Sequence, residues 1–427
     1  MQTFWIWFYN ALVIPVFWTL VHIAGWFNPK VRRAIRGRQT MFDKLAADVG
    51  RLTSTRRIWF HSSSMGEFEQ AKPIIAALRA RFRDLNIIVS FFSPSGYDHS
   101  KNYKLADVIT YIPFDSRTQA RRFLDLIRPT AAVMVRYDVW PNHIWELRRR
   151  NVPTFIANAT MRDNSSRFLP IVRSFHRALY NNLTAILTVS EKDVRNFRRF
   201  GISNGRLEAI GETRYDQVWQ RSEDARQKHV MPPQIIRKRK VIVVGSSWPD
   251  DEEVLLPTFR KILKYDPRVL MILVPHEPTV EALDAIEMSL GQRPKSIRFS
   301  VLNDYNSEPI IVVDSVGILM SLYQYADVSY VGGSFRQGIH NVLEPAVYGI
   351  PVVYGPKHEN SQEAQELVRR GGGFVVRDQQ ECYRTLRTLL GDDAVRSNAG
   401  AASLALVKEN IGATERFVKK MEGVLKP

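Results

Sequence analysis

Ile58-Trp59-Phe60-His61-Ser62-Ser63-Ser64-Met65-Gly66-Glu67 is the stretch on which the fold turns. An apolar run over Ile58 to His61 reads as a buried strand, three hydroxyls and a glycine read as a turn, and a helical pattern follows from about Phe68 to Arg83. The same rhythm repeats on either side. Strand-like runs stand at Asn86 to Phe92, Val108 to Pro113, Ala131 to Arg136, Thr154 to Ala157 and Ala185 to Ser190, with helical patterns between them. Alternation of this kind predicts a parallel sheet built from βαβ units, an α/β fold. Around Arg221 to Lys240 the chain turns polar and basic and carries Pro232 and Pro233, after which a second series begins. It runs through Val241 to Gly245, Val269 to Pro275, Ile310 to Asp314, Val328 to Gly332 and Pro351 to Tyr354. Two Rossmann-like domains are expected, at 41–225 and 226–427, the second closing with a C-terminal helix. Residues 1–40 stand apart from both.

The composition excludes several classes. With 45% apolar and 24% charged residues the 427-residue chain is a folded protein of more than one domain, and no short-period repeat suggests a solenoid. Its single cysteine, Cys382, cannot form an internal disulfide or a thiolate cage for zinc. A net charge of +17 draws it toward phosphate in some form. Nucleic acid is not the expected partner, because the basic residues are spread out and no RNP motif or zinc finger is present.

Phe4 to Phe27 runs for 24 positions without a Lys, Arg, Asp or Glu, long enough for a helix to cross about 30 Å of hydrocarbon. It is crowded with tryptophan and phenylalanine, which favour the bilayer interface, and its interior holds Asn10, Pro15 and His22. Lys30, Arg32, Arg33, Arg36 and Arg38 follow at once, so the positive-inside rule places the body of the protein in the cytoplasm. A single N-terminal anchor in the membrane is expected, either spanning or lying in the interface.

Ligands of parallel sheets gather at the carboxyl ends of strands, so the loops there carry the candidate chemistry. In the first, Ser63, Ser64 and Gly66 make an anion- or sugar-binding turn, and Glu67 sits where a helix dipole keeps a carboxylate ionised and able to accept a proton. Ser64 and Glu67 also have the spacing of a capping box, and spacing alone leaves both readings open. A second loop, Gly245 to Glu253, joins a strand to an acidic helix start and includes Ser246. A third, Gly332 to Pro345, offers Gly333, Ser334 and backbone N–H groups for a phosphate, with Asn341 and Glu344 one helical turn apart for ribose hydroxyls. Gly333 and Gly338 have the spacing of a P-loop, but Ile339-His340 replace its Lys-Ser/Thr, which rejects that motif. No G-x-G-x-x-G, H-E-x-x-H, C-x-x-C or G-x-S-x-G occurs, and Pro275-His276 reads as a loop edge near a ligand, not as a zinc site.

Taken in order, the anchor, His61 to Gln70, Tyr137-Asp138-Val139-Trp140-Pro141-Asn142, Gly245 to Glu253, Val274-Pro275-His276, and Gly332 to Pro345 with Tyr354-Gly355-Pro356 resemble the Kdo transferases. Those enzymes of lipopolysaccharide assembly move 3-deoxy-D-manno-octulosonic acid (Kdo) from CMP-Kdo to the lipid A precursor. The resemblance implies GT-B architecture, with the acceptor bound by the first domain and the donor by the second, at an anionic inner-membrane surface. It implies no metal and no other cofactor. Carried over by position, the general base falls on Glu67 and a basic residue that assists the transition state on Arg214. CMP contacts fall on Pro275 and His276, on Gly317, Ile318 and Leu319, and on Asn341, Val342, Leu343 and Glu344. The family's E-x-E-x-W-P motif reads here with Arg136 for its first glutamate and Asp138 for its second, so Asp138 is the further acidic candidate. Other readings are a GT-B enzyme using a UDP-sugar and a catalytically silent scaffold.

Overall fold

The structure, a computed structural model, describes residues 2–291, 294–336 and 338–425. It divides into two units, Met1–Gln217 with Ile411–Pro427, and Val218–Asn410. Each is built on a seven-stranded sheet in which every pairing is parallel. The architecture is of the expected GT-B class.

In the first unit the strands are β1 (Arg57–Ser62), β2 (Asn86–Phe91), β3 (Val108–Tyr111), β4 (Ala131–Val135), β5 (Thr154–Ala159), β6 (Ala185–Thr188) and β7 (Leu207–Ala209). Their spatial order is β3-β2-β1-β4-β5-β6-β7. Parallel sheets are covered on both faces, and the side chains sort accordingly. Trp59, Ile88 and Met134 point into one core, with Ile144 and Leu147 of the helix Pro141–Arg149. Ile58, Phe60, Val89 and Val133 point into the other, with Phe68, Ile74 and Leu78 of the helix Met65–Arg81.

The boundaries differ from those the sequence suggested. The division falls after Gln217, inside the helix Thr213–Arg226, and the helix Ala413–Leu425 belongs to the first unit and not to the second. The reason is burial: Phe417, Val418 and Met421 are fully enclosed in the first unit's core, and the Asp216 carboxylate accepts from Thr414 N at 2.7 Å. Residues 1–40 are likewise no separate segment. Tyr9 lies in the core of the first unit, and the buried guanidinium of Arg38 donates to Ile112 O and Phe92 O, both at 2.8 Å.

The second unit contains β8 (Lys240–Ser247), β9 (Val269–Pro275), β10 (Ser296–Arg298), β11 (Ile310–Val312), β12 (Val328–Val331), β13 (Val352–Tyr354) and β14 (Gly373–Val375). The order is β10-β11-β9-β8-β12-β13-β14. In both sheets the strand order reverses beside the first strand of the unit, between β1 and β4 and between β8 and β12.

Because its ring is fully buried, Phe417→Ala should cost the first unit about 3 to 5 kcal/mol. Urea unfolding should show an earlier transition for that unit with the second unit's unchanged. No shift would remove the C-terminal helix from the first unit's core.

Candidate active site

The carboxyl ends of β1 and β4 meet at the switch point of the first sheet, and two carboxylates stand there. Glu67 opens the helix Met65–Arg81 within a complete capping box: Ser64 Oγ accepts from Glu67 N, and Glu67 Oε2 accepts from Ser64 N at 3.2 Å. It also accepts from Ser63 N at 2.7 Å. The carboxylate is buried. Asp138, two residues beyond the left-handed Arg136 (φ 64°), is held by three donors. Its Oδ2 takes the Ser63 hydroxyl, His61 Nε2 at 2.8 Å and Trp140 Nε1 at 3.2 Å.

The histidine is fixed from behind. Trp59 Nε1 donates to Ser90 Oγ at 2.8 Å, and His61 Nδ1 lies 2.9 Å from that hydroxyl and 3.2 Å from Ser90 O, while Nε2 faces Asp138 and stands 3.0 Å from Trp140 Nε1. The two carboxylates are thereby pushed apart. Burial, and next the charge of Asp138, raise the pKa of Glu67 against the lowering effect of the Ser63 and Ser64 N–H groups. Burial also acts to raise that of Asp138, but hydrogen bonds from His61, Ser63 and Trp140 outweigh it, and the net shift is downward. One group is suited to take a proton and the other to stay ionised.

Arg214 stands beside the helix Met65–Arg81. Thr213, the residue before it, donates its hydroxyl to Gln70 O at 2.6 Å, and Arg214 Nε is paired with Glu212. Thus Ser63, Ser64, Glu67 and Asp138 come together in one hydrogen-bonded group, while the described hydrogen bonds of Arg214 lie outside it. Gly66 lies in the first turn of the helix, with open space where a Cβ would be.

At the switch point of the second sheet, the loops after β8, β9 and β12 interlock. Asp251, fully buried, accepts from Trp248 N at 3.0 Å, Gly333 N at 2.8 Å and the Tyr330 hydroxyl at 2.9 Å, joining the end of β8 to the end of β12. Burial raises its pKa. His276, directly after Pro275, ties its N–H to Ser247 O at 2.9 Å. Its ring stacks on both Trp248, at 4.6 Å, and His340, at 4.5 Å, which lie edge to edge in one plane with their centroids 6.3 Å apart. Trp248 Nε1 donates to His340 Nε2 at 2.8 Å, so the proton of His340 is on Nδ1. Burial, then the neighbouring His276, push the His340 pKa down to about 4.

Ser246 is itself left-handed (φ 54°), and Gly332 lies so close to Ser246 O that a side chain there would collide with the backbone. Gly333 and Gly338 have φ of 91° and 105°, and Gly338 N donates to Gly333 O at 2.8 Å, closing the turn. Ser334 Oγ accepts from Gly355 N at 2.6 Å. Gln337 of this segment lies outside the described residues. The Gly317, Ile318 and Leu319 loop is set against the same strand end, since Leu319 Cδ1 lies 3.2 Å from where a Cβ on Gly245 would be.

One expectation changes here. No helix opens at Asn341: among the described residues of this segment the helical turn is Leu343–Ala346, and Asn341 precedes it, accepting from Leu343 N at 3.1 Å. Val342 and Leu343 are buried, and Glu344 Oε1 accepts from Asn341 Nδ2 at 3.3 Å and faces Arg221 Nη1 at 3.4 Å. The left-handed Gly338 and the loop that follows consume the residues a longer helix would need. Sequence reasoning assigned no role to His61, Trp140, Trp248 or His340. Each was visible in a quoted motif, but its partner lies in another loop.

Residues 35–217 match the family described as 3-Deoxy-D-manno-octulosonic-acid transferase (kdotransferase). The chain is 25% identical to the 3-deoxy-D-manno-octulosonic acid transferase of Haemophilus influenzae, over 99% of each chain. It is 28% identical to the enzyme of that name from Aquifex aeolicus, over 78% of this chain and 86% of the other. A bifunctional glycosyltransferase/methyltransferase of Fusobacterium nucleatum is 27% identical over 81% of this chain, which spans 54% of that longer protein. Among solved structures, a putative UDP-N-acetylglucosamine 2-epimerase from Listeria monocytogenes superposes with a TM-score of 0.59 at 12% identity, covering 87% of this chain and 96% of the other, and so shares the fold. The chain thus carries that family's domain at 35–217 and is similar over nearly its whole length to 3-deoxy-D-manno-octulosonic acid transferases.

Proposed function

We propose that the protein transfers Kdo from CMP-Kdo to a hydroxyl of the lipid A precursor, with inversion, Glu67 serving as general base. The observation that carries this reading is the Glu67–Asp138 pair at the first switch point, one carboxylate raised in pKa and its neighbour lowered. The donor carbon is a ketose centre, and departure of its phosphate builds positive character on the sugar ring. No side-chain nucleophile is needed. The acceptor oxygen forms the new bond to that carbon from the opposite face, the bond to the CMP phosphate oxygen breaks, and the acceptor proton passes to Glu67. Asp138, kept ionised by His61, Ser63 and Trp140, supports the positive charge. Arg214 meets the negative charge on the leaving phosphate.

In the second unit, the turn at Gly333 and Ser334, the Pro275-His276 edge, the Gly317 to Leu319 loop, Ser246, and Asn341 to Glu344 hold the nucleotide. Trp248 and His340 keep the His276 ring in place. The acceptor is membrane-held, and the apolar face of Gln2–Phe27 with the cations of the next helix binds the anionic inner-membrane surface from the cytoplasmic side.

Glu67→Gln keeps an oxygen that can accept from Ser63 N and Ser64 N but cannot take up the acceptor proton. Transfer to a tetraacylated lipid A precursor, followed by product mass, should fall about 100-fold or more while CMP binding holds. Transfer within a few-fold of the parent would pass the role of base to Asp138.

The same variant tests the pKa. A carboxyl raised in the folded state contributes stability that is full below its ordinary value and is lost as pH rises through the raised one. The Tm of Glu67→Gln minus that of the parent should therefore grow as pH rises above about 4. A constant difference would mean that the group is not raised.

Glu344→Ala should weaken CMP binding by about 10-fold or more, the loss of a hydrogen bond to a charged group. Calorimetry showing unchanged affinity in a folded variant would assign Glu344 to holding Asn341 and Arg221.

A further inference from the structure

Length and hydropathy allow the helix Gln2–Phe27 to cross a bilayer. Its contacts do not favour that course. Gln2 Nε2 donates to Asn182 Oδ1 at 2.9 Å, and Trp5 Nε1 to Ser174 Oγ at 3.3 Å. The Tyr9 hydroxyl donates to Asp115 Oδ2 at 2.9 Å, and Asp115 is the fully buried partner of His143 at 2.6 Å. Asn10 and Asn142 exchange side-chain hydrogen bonds at 3.0 Å. Farther along, the ring of Phe17 lies 6.4 Å from those of both Phe114 and Trp140. Beyond the helix, Arg38 is buried in the same unit.

Every one of these partners belongs to the first unit, so the helix lies along that unit from Gln2 to Phe17, over roughly 22 Å at 1.5 Å per residue. A spanning helix would have to separate its two ends by about 30 Å of hydrocarbon, and would carry Asn182, Ser174 and Asp115 across with it. A local device permits the docking. The chain makes a π-helical turn at Tyr9–Val13, just before Pro15, whose ring cannot fit a regular turn, and the extra residue brings both Tyr9 and Asn10 onto the body.

The opposite face is bare and apolar. Trp7, Trp26 and Phe27 are 68%, 72% and 82% exposed, with Phe4 and Leu20 on the same side. No acidic residue occurs before Asp43, while exposed Lys30, Arg33 and Arg36 follow the helix, an arrangement complementary to anionic lipid.

We infer that Gln2–Phe27 is an in-plane membrane helix, with its bare face in one leaflet of an anionic bilayer and both ends on the cytoplasmic side. The inference rests on the reading above that the protein works at a membrane. It deepens that reading, because the helix sits against the catalytic loop: Phe17 packs on Trp140, and Trp140 donates to Asp138. Immersion of the helix then sets the Glu67 site at the lipid surface, within reach of an acceptor that stays in its leaflet.

Cysteine labelling decides the matter, since the only native thiol, Cys382, is buried and its pKa is pushed up to about 12. Full-length Thr3→Cys is compared with Lys101→Cys on the body, each exposed in the structure. With a membrane-impermeant maleimide, both should label equally in inside-out inner-membrane vesicles and neither in intact spheroplasts. Labelling of Thr3→Cys in spheroplasts, or in inside-out vesicles only after detergent, would show that the helix spans and would overturn the in-plane placement while leaving the membrane reading intact. Recovery of the protein in the soluble fraction, as a monomer or as a dimer covering this face, would overturn both.

Discussion

The reversal of strand order is the constraint from which the rest follows. Beside β1 the chain builds outward to β2 and β3, and at β4 it returns to the other side. Right-handed crossovers then place the helix after β1 on one face of the sheet and the helix after β4 on the other. The cores confirm the separation: Met65–Arg81 packs with Phe60 and Val133, and Pro141–Arg149 with Trp59 and Met134. Two helix starts diverge from adjacent strand ends, and the space between them is the one place in the sheet where side chains from both loops can meet without being buried beneath a helix. Glu67 and Asp138 meet there. The second sheet repeats the device between β8 and β12, with Asp251 bridging the two loops.

Glu67 shows how a capping residue can also have a raised pKa. A carboxylate that accepts two backbone N–H groups at a helix start is ordinarily held below its usual pKa. Here burial and the nearby Asp138 outweigh those bonds, and the net shift is upward. The cap fixes the position of the oxygen atoms and the environment sets their proton affinity, so the two roles draw on different physics. The pKa of Asp138 beside it is lowered because hydrogen bonds from His61, Ser63 and Trp140, with the coulombic pull of His61, outweigh its burial.

The long strands were legible because they are buried on both faces and read as continuous apolar runs. β7, β10 and β14 were not, since each is a three-residue strand at a sheet edge, too short to show a period. The loop of Ser63, Ser64 and Glu67 could be found from spacing, because the capping box is local. The Trp248–His276–His340 stack could not, as its rings come from loops after three different strands and only pairing of those strands brings them together. The helix expected at Asn341 failed for a related reason: two left-handed glycines spend the chain on a closed turn, and among the described residues of the segment Leu343–Ala346 remains helical. The C-terminal helix was assigned to the wrong unit because sequence order says nothing about where a terminal amphipathic face finds its core.

The N-terminal helix shows the same limit from the opposite side. Hydropathy counts Gln2, Tyr9 and Asn10 as small blemishes in an apolar segment, whereas these are the residues that bind it to the body through hydrogen bonds. Tyr9 matters most, since its hydroxyl helps to satisfy Asp115, and that buried carboxylate also orients His143 and accepts from the N–H groups at the start of the helix after β4. That helix begins one residue after Trp140, a donor to Asp138. The attachment of the apolar helix and the placement of the second carboxylate are therefore two ends of one hydrogen-bonded framework, and a sequence that kept the hydrophobicity but lost Tyr9 would loosen both.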